Sequence, residues 1–260
     1  MRDQLVMGSL EKFKEIHPIC CFCGGKAGTE SRDEVPPRTL FFGRHWPEGY
    51  QFPACKNCNG MSRLADQAIG LIARMSLLDE YADRESIIPW LKGVQNNSPD
   101  RLPELVTSPI EARKLLKNAG IVKSADEFSI DYNIALLDEE TFRYLDVIFR
   151  KLFCAIYYKH TQKILRSGSL IARRCNTNAF LIEDEGSEWL CLNFLQNAPK
   201  ICRNGQDLSQ QFDYRWGYSA IDGIFAVSFH LRMGIFGLMI GPLIDSDLEE
   251  EDTENLLVVP

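Results

Sequence analysis

The chain contains two Cys-x2-Cys pairs, Cys20 with Cys23 and Cys55 with Cys58, separated by 31 residues. Two such pairs supply four thiolates, which is the ligand set of a closed tetrahedral zinc site. A redox Cys-x2-Cys pair is the alternative, but it needs no second pair. We therefore expect a structural zinc ion that holds together a segment too short and too polar to fold alone. Cys21 lies beside the first pair, and we do not expect it to be one of the four zinc ligands.

Length and composition describe an ordinary globular protein. The 260 residues are 45% hydrophobic and 25% charged, which excludes a mostly disordered chain, a collagen and a coiled-coil rod. The first eighteen residues are rich in charge and contain no apolar stretch of signal-peptide length. We therefore expect a cytoplasmic protein, in which clustered cysteines favour a metal over disulfides.

Charge is distributed unevenly along the chain. The net charge is -7, but residues 1–74 carry +2 and residues 169–260 carry -8. A protein that coats nucleic acid would be basic overall, so any nucleic-acid contact must be local and near the N-terminal end. The acidic C-terminal region could instead bind a basic protein partner.

The sequence between and after the cysteine pairs predicts two strands and a helix. Residues 31–35 form a short strand that Pro36 and Pro37 stop, because proline cannot donate to a strand ladder. A second strand precedes Cys55, and apolar residues with helical spacing follow from Asn59. The expected arrangement is a zinc-bound ββα unit.

The rest of the chain predicts a helical middle and a C-terminal sheet. Residues 138–165 have an apolar stripe at three- and four-residue spacing, typical of an amphipathic helix. Residues 224–243 form a long apolar run, but His230 and Arg232 interrupt it and the pattern alternates with period two. This indicates strands, with a bulge or bend at Gly234 and Gly237, and not a membrane span.

The predicted fold class is therefore α+β in four regions. Residues 1–75 form the zinc-bound unit, residues 76–168 a helical region and residues 169–244 a mostly antiparallel β-rich region. Residues 245–260 form an acidic tail with a run of like charges, which we expect to be disordered.

The motifs around the cysteine pairs resemble a known family. In order they are Cys20-x2-Cys23-Gly24, an acidic residue before Val35-Pro36-Pro37-Arg38, Pro53-Ala54-Cys55 and Cys58-Asn59. This order resembles the HNH endonuclease superfamily, and within it the bacterial and phage proteins whose strand reads acidic-His-Val-Pro-Pro. The resemblance covers residues 18–75. It implies a treble-clef-like ββα unit that binds Mg²⁺ or Mn²⁺ and hydrolyses phosphodiester bonds of nucleic acid.

The resemblance also implies residue roles, with two departures. Asp33 falls on the acidic, metal-binding position, Asn59 begins the helix that carries the last metal-side residue, and Asp66 could face the same cation. Glu34 stands where the family has its general-base histidine, and the middle asparagine is absent. A carboxylate is a weaker base than imidazole, so Glu34 fits a metal ligand better, and His45 could act as the base from the loop.

Five basic residues surround this motif and could contact phosphates of nucleic acid, for which we expect DNA: Arg32, Arg38, Arg44, Lys56 and Arg63. Their alternative role is ordinary surface charge. Three hypotheses follow for the whole chain. It is a metal-dependent HNH-like nuclease, a catalytically inactive zinc-stapled module that binds nucleic acid or protein, or an interaction subunit that binds through its acidic region.

Overall fold

The computed structural model describes residues 10–73, 92, 95–96, 104–106, 108–118, 134–136, 139–177, 195–232, 235–243 and 256–260. The helices are α1 (Lys56–Met61), α2 (Arg63–Ile72), α3 (Pro109–Asn118) and α4 (Glu139–Thr161), and residues 10–16 are also helical. The strands are β1 (Ser31–Glu34), β2 (Gln51–Ala54), β3 (Glu104–Val106), β4 (Ile134–Leu136), β5 (Leu170–Thr177), β6 (Cys202–Arg203), β7 (Gln206–Asp207), β8 (Phe212–Ser219), β9 (Ile224–Leu231), β10 (Ile235–Leu243) and β11 (Leu256–Val258).

The N-terminal part contains a two-stranded antiparallel sheet, followed by two helices. β1 and β2 pair from Ser31 opposite Ala54 to Glu34 opposite Gln51. β1 ends just before the two prolines, as the sequence predicted, and two short 3-10 turns cover residues 38–44. The helix expected from Asn59 is two helices, α1 and α2, which meet at Ser62.

α4 is the central element of the molecule. Its 23 residues begin with Glu139 and Glu140, whose charges suit a helix N-terminus. From Lys151 to Tyr157 every side chain is buried, which is the pattern of a helix enclosed on all sides. Its buried residues belong to one hydrophobic core that continues into both the cysteine-rich part and the C-terminal sheet.

The C-terminal sheet has five strands in the order β11-β5-β10-β9-β8, and all four pairings are antiparallel. β9 follows the predicted alternation, with Phe225, Val227, Phe229 and Leu231 all buried. Gly237 on β10 lies beneath the ring of Phe229, where a Cβ atom would approach a ring carbon to 2.3 Å. The absence of a side chain at position 237 therefore allows this aromatic ring to lie across the sheet.

Specific polar contacts join the N-terminal, cysteine-rich part of the chain to the C-terminal sheet. Gln211 Oε1 accepts a hydrogen bond from Phe42 N at 2.6 Å, and the hydroxyls of Tyr50 and Tyr214 lie 3.0 Å apart. Gly24, with φ of +64°, packs so closely on the backbone of Ser167 that a Cβ atom would lie 2.2 Å from the Ser167 amide nitrogen. The cysteine-rich part therefore shares a core and an interface with the sheet.

The mixed α and β fold, the N-terminal cysteine cluster and the antiparallel C-terminal sheet confirm the coarse prediction. No described helix is long and apolar enough to cross a membrane. Three details differ. The predicted helical region also contains the paired strands β3 and β4. The register of β10 against β5 shifts between Ile240 and Leu243 and not at the predicted Gly237, whereas Gly234 lies outside the described residues. The predicted disordered tail ends in β11, which pairs with β5, while residues 244–255 and 178–194 lie outside the described residues.

Candidate functional site

The four predicted cysteines come together in one buried cluster. The sulfur atoms of Cys20, Cys23, Cys55 and Cys58 all lie within 4.8 Å of one another. In a tetrahedral zinc–thiolate site with Zn–S bonds of about 2.3 Å, the sulfurs are roughly 3.8 Å apart. The cluster therefore fits a metal ion such as zinc. All four ligands are protein thiolates, so such a site is closed to substrate and is structural.

Backbone amides help to shape each pair. Phe22 N donates to Cys20 Sγ and Cys58 N donates to Cys55 Sγ, both at 3.4 Å. Gly24 and Gly25 follow the first pair with φ of +64° and +80°, a conformation that glycine adopts without strain. Hydrogen bonding from Cys58 lowers the pKa of Cys20 to about 5, which favours the thiolate that metal binding requires.

The cysteines beside the cluster are core residues. Cys21 and Cys154 are buried in the hydrophobic core, and burial raises the pKa of both thiols, that of Cys154 to about 12. A high pKa keeps them protonated and unreactive at neutral pH. Cys202 is half-buried at the β6 strand, away from the cluster.

Asp33 points into the protein and forms an ion pair with Lys151 of α4. The two side chains are only 6% and 7% exposed. The ammonium of Lys151 also donates to Ser62 Oγ at 2.6 Å, and Ser62 lies between α1 and α2. Burial raises the pKa of Asp33, and the charge and hydrogen bond of Lys151 oppose that effect. The residue expected to bind a metal is therefore bound by an ammonium group from another part of the chain.

Asp66 belongs to the same charged cluster. Its Oδ2 accepts a hydrogen bond from Ser62 Oγ at 3.4 Å, so Asp33, Lys151, Ser62 and the half-buried Asp66 form one connected network. Burial raises the pKa of Asp66 to about 7, and Lys151 partly offsets this. Asp33 contacts Lys151 directly, whereas Asp66 is linked to it through Ser62.

Replacement of Asp66 by asparagine should change the pH dependence of stability. The pKa of Asp66 is raised from its ordinary value of 3.8 to about 7 in the folded state. Between these two pH values the folded state binds more protons than the unfolded state, so the free energy of unfolding falls as the pH rises. Asp66→Asn removes this loss, and we expect it to raise the free energy of unfolding by on the order of 2 kcal/mol at about pH 8 and far less at about pH 5.

The measurement is urea unfolding at both pH values, with the exposed Asp222→Asn as the matched control. An equal shift at both pH values would contradict a titrating Asp66.

Glu34 lies on the other face of β1 from Asp33, since successive strand residues alternate. Its Oε1 accepts hydrogen bonds from the guanidinium of Arg38 and from Gln51 Nε2, the latter at 3.1 Å. The side chain is 21% exposed. β1 has no bulge against β2, so Asp33 and Glu34 do not turn toward one point.

Asn59 and His45 stand apart from both carboxylates. Asn59 donates from Nδ2 to Ser31 Oγ at 2.9 Å, which joins α1 to the start of β1. His45 is exposed after the second 3-10 turn, beside Gly43. Among the described residues, the four cysteines are the sole group of three or more His, Cys, Asp or Glu side chains placed to hold a metal ion.

The five predicted basic residues lie in different surroundings. Arg44 and Arg63 are exposed, and Lys56 is 84% exposed with Glu30 at 3.9 Å. Arg38 pairs with Glu34 and stacks on Trp46 at 3.6 Å, while Arg32 lies over the ring of Phe13 at 4.7 Å. Three of the five basic residues, Arg44, Lys56 and Arg63, are therefore exposed.

Lys151 is the residue that sequence reasoning missed. It lies 118 positions from Asp33, so no local motif connects them. The available signal is its place inside the apolar stripe of α4, where a lysine stem is buried among aromatic and aliphatic residues. A lysine at such a position requires a buried acidic or polar partner.

Comparisons with protein-family profiles, with curated proteins and with solved structures found no match to this chain.

Proposed function

We propose that the chain is a zinc-stapled nucleic-acid-binding module of HNH-like, treble-clef-like ββα type, in which Lys151 occupies the place of the catalytic cation. The observation that carries the proposal is the buried ion pair of Asp33 and Lys151. Such a module binds nucleic acid through its surface cations and does not cleave it.

Lys151 makes a divalent ion at Asp33 unfavourable. Mg²⁺ keeps most of its water ligands and needs carboxylates that are open to solvent. Asp33 is 6% exposed and already carries a compensating positive charge. A metal ion would have to displace the ammonium group and leave it buried without a partner, which is energetically unfavourable.

Glu34 is also engaged by donors of the chain, one cationic and one neutral. Arg38 and Gln51 both donate to its Oε1, so a water molecule would compete with them for that oxygen. A general base must accept a proton from a water held in line with the phosphorus. The pairing of Glu34 with Arg38 therefore favours binding over hydrolysis.

Three exposed cations support contact with phosphates: Arg44, Lys56 and Arg63. Neither Arg44 nor Arg63 has a carboxylate within 4.0 Å among the described residues. They lie in a region with a net charge of +2, in contrast to the acidic C-terminal part. Phosphate binding by such residues is salt-dependent and independent of sequence.

Binding is tested by fluorescence anisotropy with labelled double-stranded DNA, single-stranded DNA and RNA over a range of salt. We expect the Arg44→Gln/Arg63→Gln double variant to bind at least tenfold more weakly and to reduce the salt slope by about 1.8 for duplex DNA. The control is Lys200→Gln/Arg215→Gln, which removes two exposed cations near and on the C-terminal sheet. Equal binding by both double variants, or no binding to any substrate, would overturn the proposal.

A metal-dependent nuclease is the second candidate, because Asp33 contacts Lys151 and Asp66 is linked to the same ammonium group through Ser62. Incubation of the three substrates with Mg²⁺, Mn²⁺ or no added metal separates the two functions. The proposed module leaves every substrate intact. Cleavage that requires metal and is lost in Glu34→Gln would establish the nuclease, with the metal displacing Lys151.

A further inference from the structure

A cleft of about 580 Å³ lies beside β2 and the C-terminal end of α4, and neither the four clustered cysteines nor Asp33 lines it. Five parts of the chain form it: the end of the first helical segment, the loop before β2, β2 itself, the C-terminal end of α4 and Arg203 of β6. Clefts of about 300–1,000 Å³ hold most small-molecule ligands. The cleft is therefore large enough for a ligand of nucleotide size.

One wall of the cleft is aromatic. The rings of Phe13 and His17 lie 4.7 Å apart, and those of His17 and Tyr158 lie 5.8 Å apart. His17 Nδ1 and the Tyr158 hydroxyl are 2.8 Å apart and hydrogen-bonded, which fixes the two rings against each other. Burial lowers the pKa of His17, so its ring is neutral at physiological pH. The rings are tilted by 49° and 69° to one another, and Arg32 lies over the ring of Phe13. The aromatic surface open to a planar group is therefore that of His17 and Tyr158 and the remaining side of Phe13.

Two basic side chains, Lys159 and Arg203, also line the cleft. Lys159 Nζ donates to Gly49 O at 2.9 Å and lies 4.4 Å from the ring centre of Tyr50. Arg203 donates to Trp46 O at 3.0 Å and lies over the Trp46 ring at 4.1 Å. These contacts hold both cations in place and leave donors free.

Neither cation is neutralised by a carboxylate. Within the described part of the chain, no Asp or Glu oxygen lies within 4.0 Å of Lys159 or Arg203. Glu48 also lines the cleft, but its Oε1 accepts a hydrogen bond from Asn204 N at 2.8 Å. Two fixed cations, neither of them in contact with the one carboxylate that lines the cleft, are suited to an anion.

We propose that this cleft binds a phosphorylated nucleoside, with the base against Phe13, His17 and Tyr158 and the phosphate between Lys159 and Arg203. The side-chain amides of Gln51 and Gln162 line the same cleft and can hydrogen-bond the edge of the base. The Glu48 carboxylate can accept from sugar hydroxyls. The ligand is either a free nucleotide or the terminal nucleotide of a strand, since both present this chemistry.

The inference does not rest on the proposed nucleic-acid binding, because Arg44 and Arg63 do not line the cleft. Failure of one proposal is therefore distinguishable from failure of the other.

The test is isothermal titration of the full chain with the four ribonucleoside monophosphates, with adenosine and with inorganic phosphate. A second arm uses short single-stranded oligonucleotides with and without a terminal phosphate. We expect at least one phosphorylated nucleoside, free or terminal, to bind with a Kd tighter than about 1 mM. Adenosine and phosphate alone should bind at least tenfold more weakly, since each makes only half of the contacts.

Lys159→Gln and Arg203→Gln should each weaken binding by roughly tenfold or more, because each removes a charge-assisted contact. Phe13→Ala should weaken the nucleotide and leave the affinity for phosphate alone unchanged. The control is Lys163→Gln, which removes a lysine on Tyr218 at 5.7 Å, outside the cleft. The proposal would be overturned if Lys163→Gln weakened binding as much as Lys159→Gln does. It would also be overturned if no phosphorylated nucleoside bound in either arm.

Discussion

Replacement of Cys55 by serine is expected to remove the bound metal and unfold the cysteine-rich part of the chain. A structural zinc ion contributes about 10–16 kcal/mol of apparent binding free energy at neutral pH, whereas a whole domain is stable by about 5–15 kcal/mol. The cluster is buried in a core that continues into α4 and the sheet. Loss of the ion should therefore destabilise the whole described core, and not the cysteine-rich part alone.

The measurements are elemental analysis of the purified protein and thermal unfolding followed by circular dichroism. We expect one zinc per chain for the wild type, and none for Cys55→Ser. Cys202→Ser is the matched control, because Cys202 is half-buried outside the cluster and should retain both the zinc and the thermal midpoint. A Cys55→Ser protein that keeps its metal, or that melts at the same temperature as the wild type, would contradict a structural zinc site.

The features that the sequence predicted are local in the chain. The cysteine pairs fix their ligand set by spacing, and the period-two pattern of residues 224–231 reports a half-buried strand directly. The prolines after β1 stop that strand because they lack a backbone donor. Each of these inferences uses residues within a few positions of one another, or a pattern that repeats along one element.

The features that the sequence did not predict depend on long-range packing. Leu256–Val258 forms a strand because it pairs with the edge of β5. The acidic run before it dominates the local sequence, so the sequence predicted disorder for the whole tail. The sequence predicted a bulge or bend at Gly237. In the structure, the missing side chain at this position leaves room for the Phe229 ring on the neighbouring strand. The partner of Asp33 is decided by how α4 packs on α2, which spacing within either element cannot report.

Replacement of Lys151 by methionine is the second change with a large expected effect. Methionine keeps most of the side-chain volume and removes the ammonium, so Asp33 becomes a buried carboxyl without its partner. Breaking a buried ion pair in this way costs about 3–5 kcal/mol. We expect urea unfolding of Lys151→Met to show a loss of this size. The loss should shrink at low pH, because a protonated Asp33 carries no charge.

A double-mutant cycle separates the charge from the packing. Asp33→Asn should also destabilise, since it leaves the Lys151 ammonium unpaired, but Asp33→Asn/Lys151→Met contains no buried charge at this position. The double variant should therefore lose less free energy of unfolding than the sum of the two single losses. The difference should be at least about 1 kcal/mol, which is the usual size of the coupling between contacting residues. Additive losses would mean that the ion pair contributes nothing beyond its volume.

The shorter Lys151→Ala variant tests whether the ammonium substitutes for a divalent cation. It leaves Asp33 and Asp66 facing an open volume with two acidic groups and no cation of the chain between them. If Lys151 supplies the positive charge that this cluster needs, Mg²⁺ or Mn²⁺ should raise the thermal midpoint of Lys151→Ala and leave that of the wild type unchanged, because a ligand stabilises the state that binds it. Ca²⁺ and Na⁺ at matched ionic strength separate specific binding from screening. No response of either protein would show that the cluster is a structural ion pair with no affinity for a metal, which would remove the second candidate function as well. An equal rise in both proteins would contradict the substitution by Lys151, because the wild type would then bind the metal too.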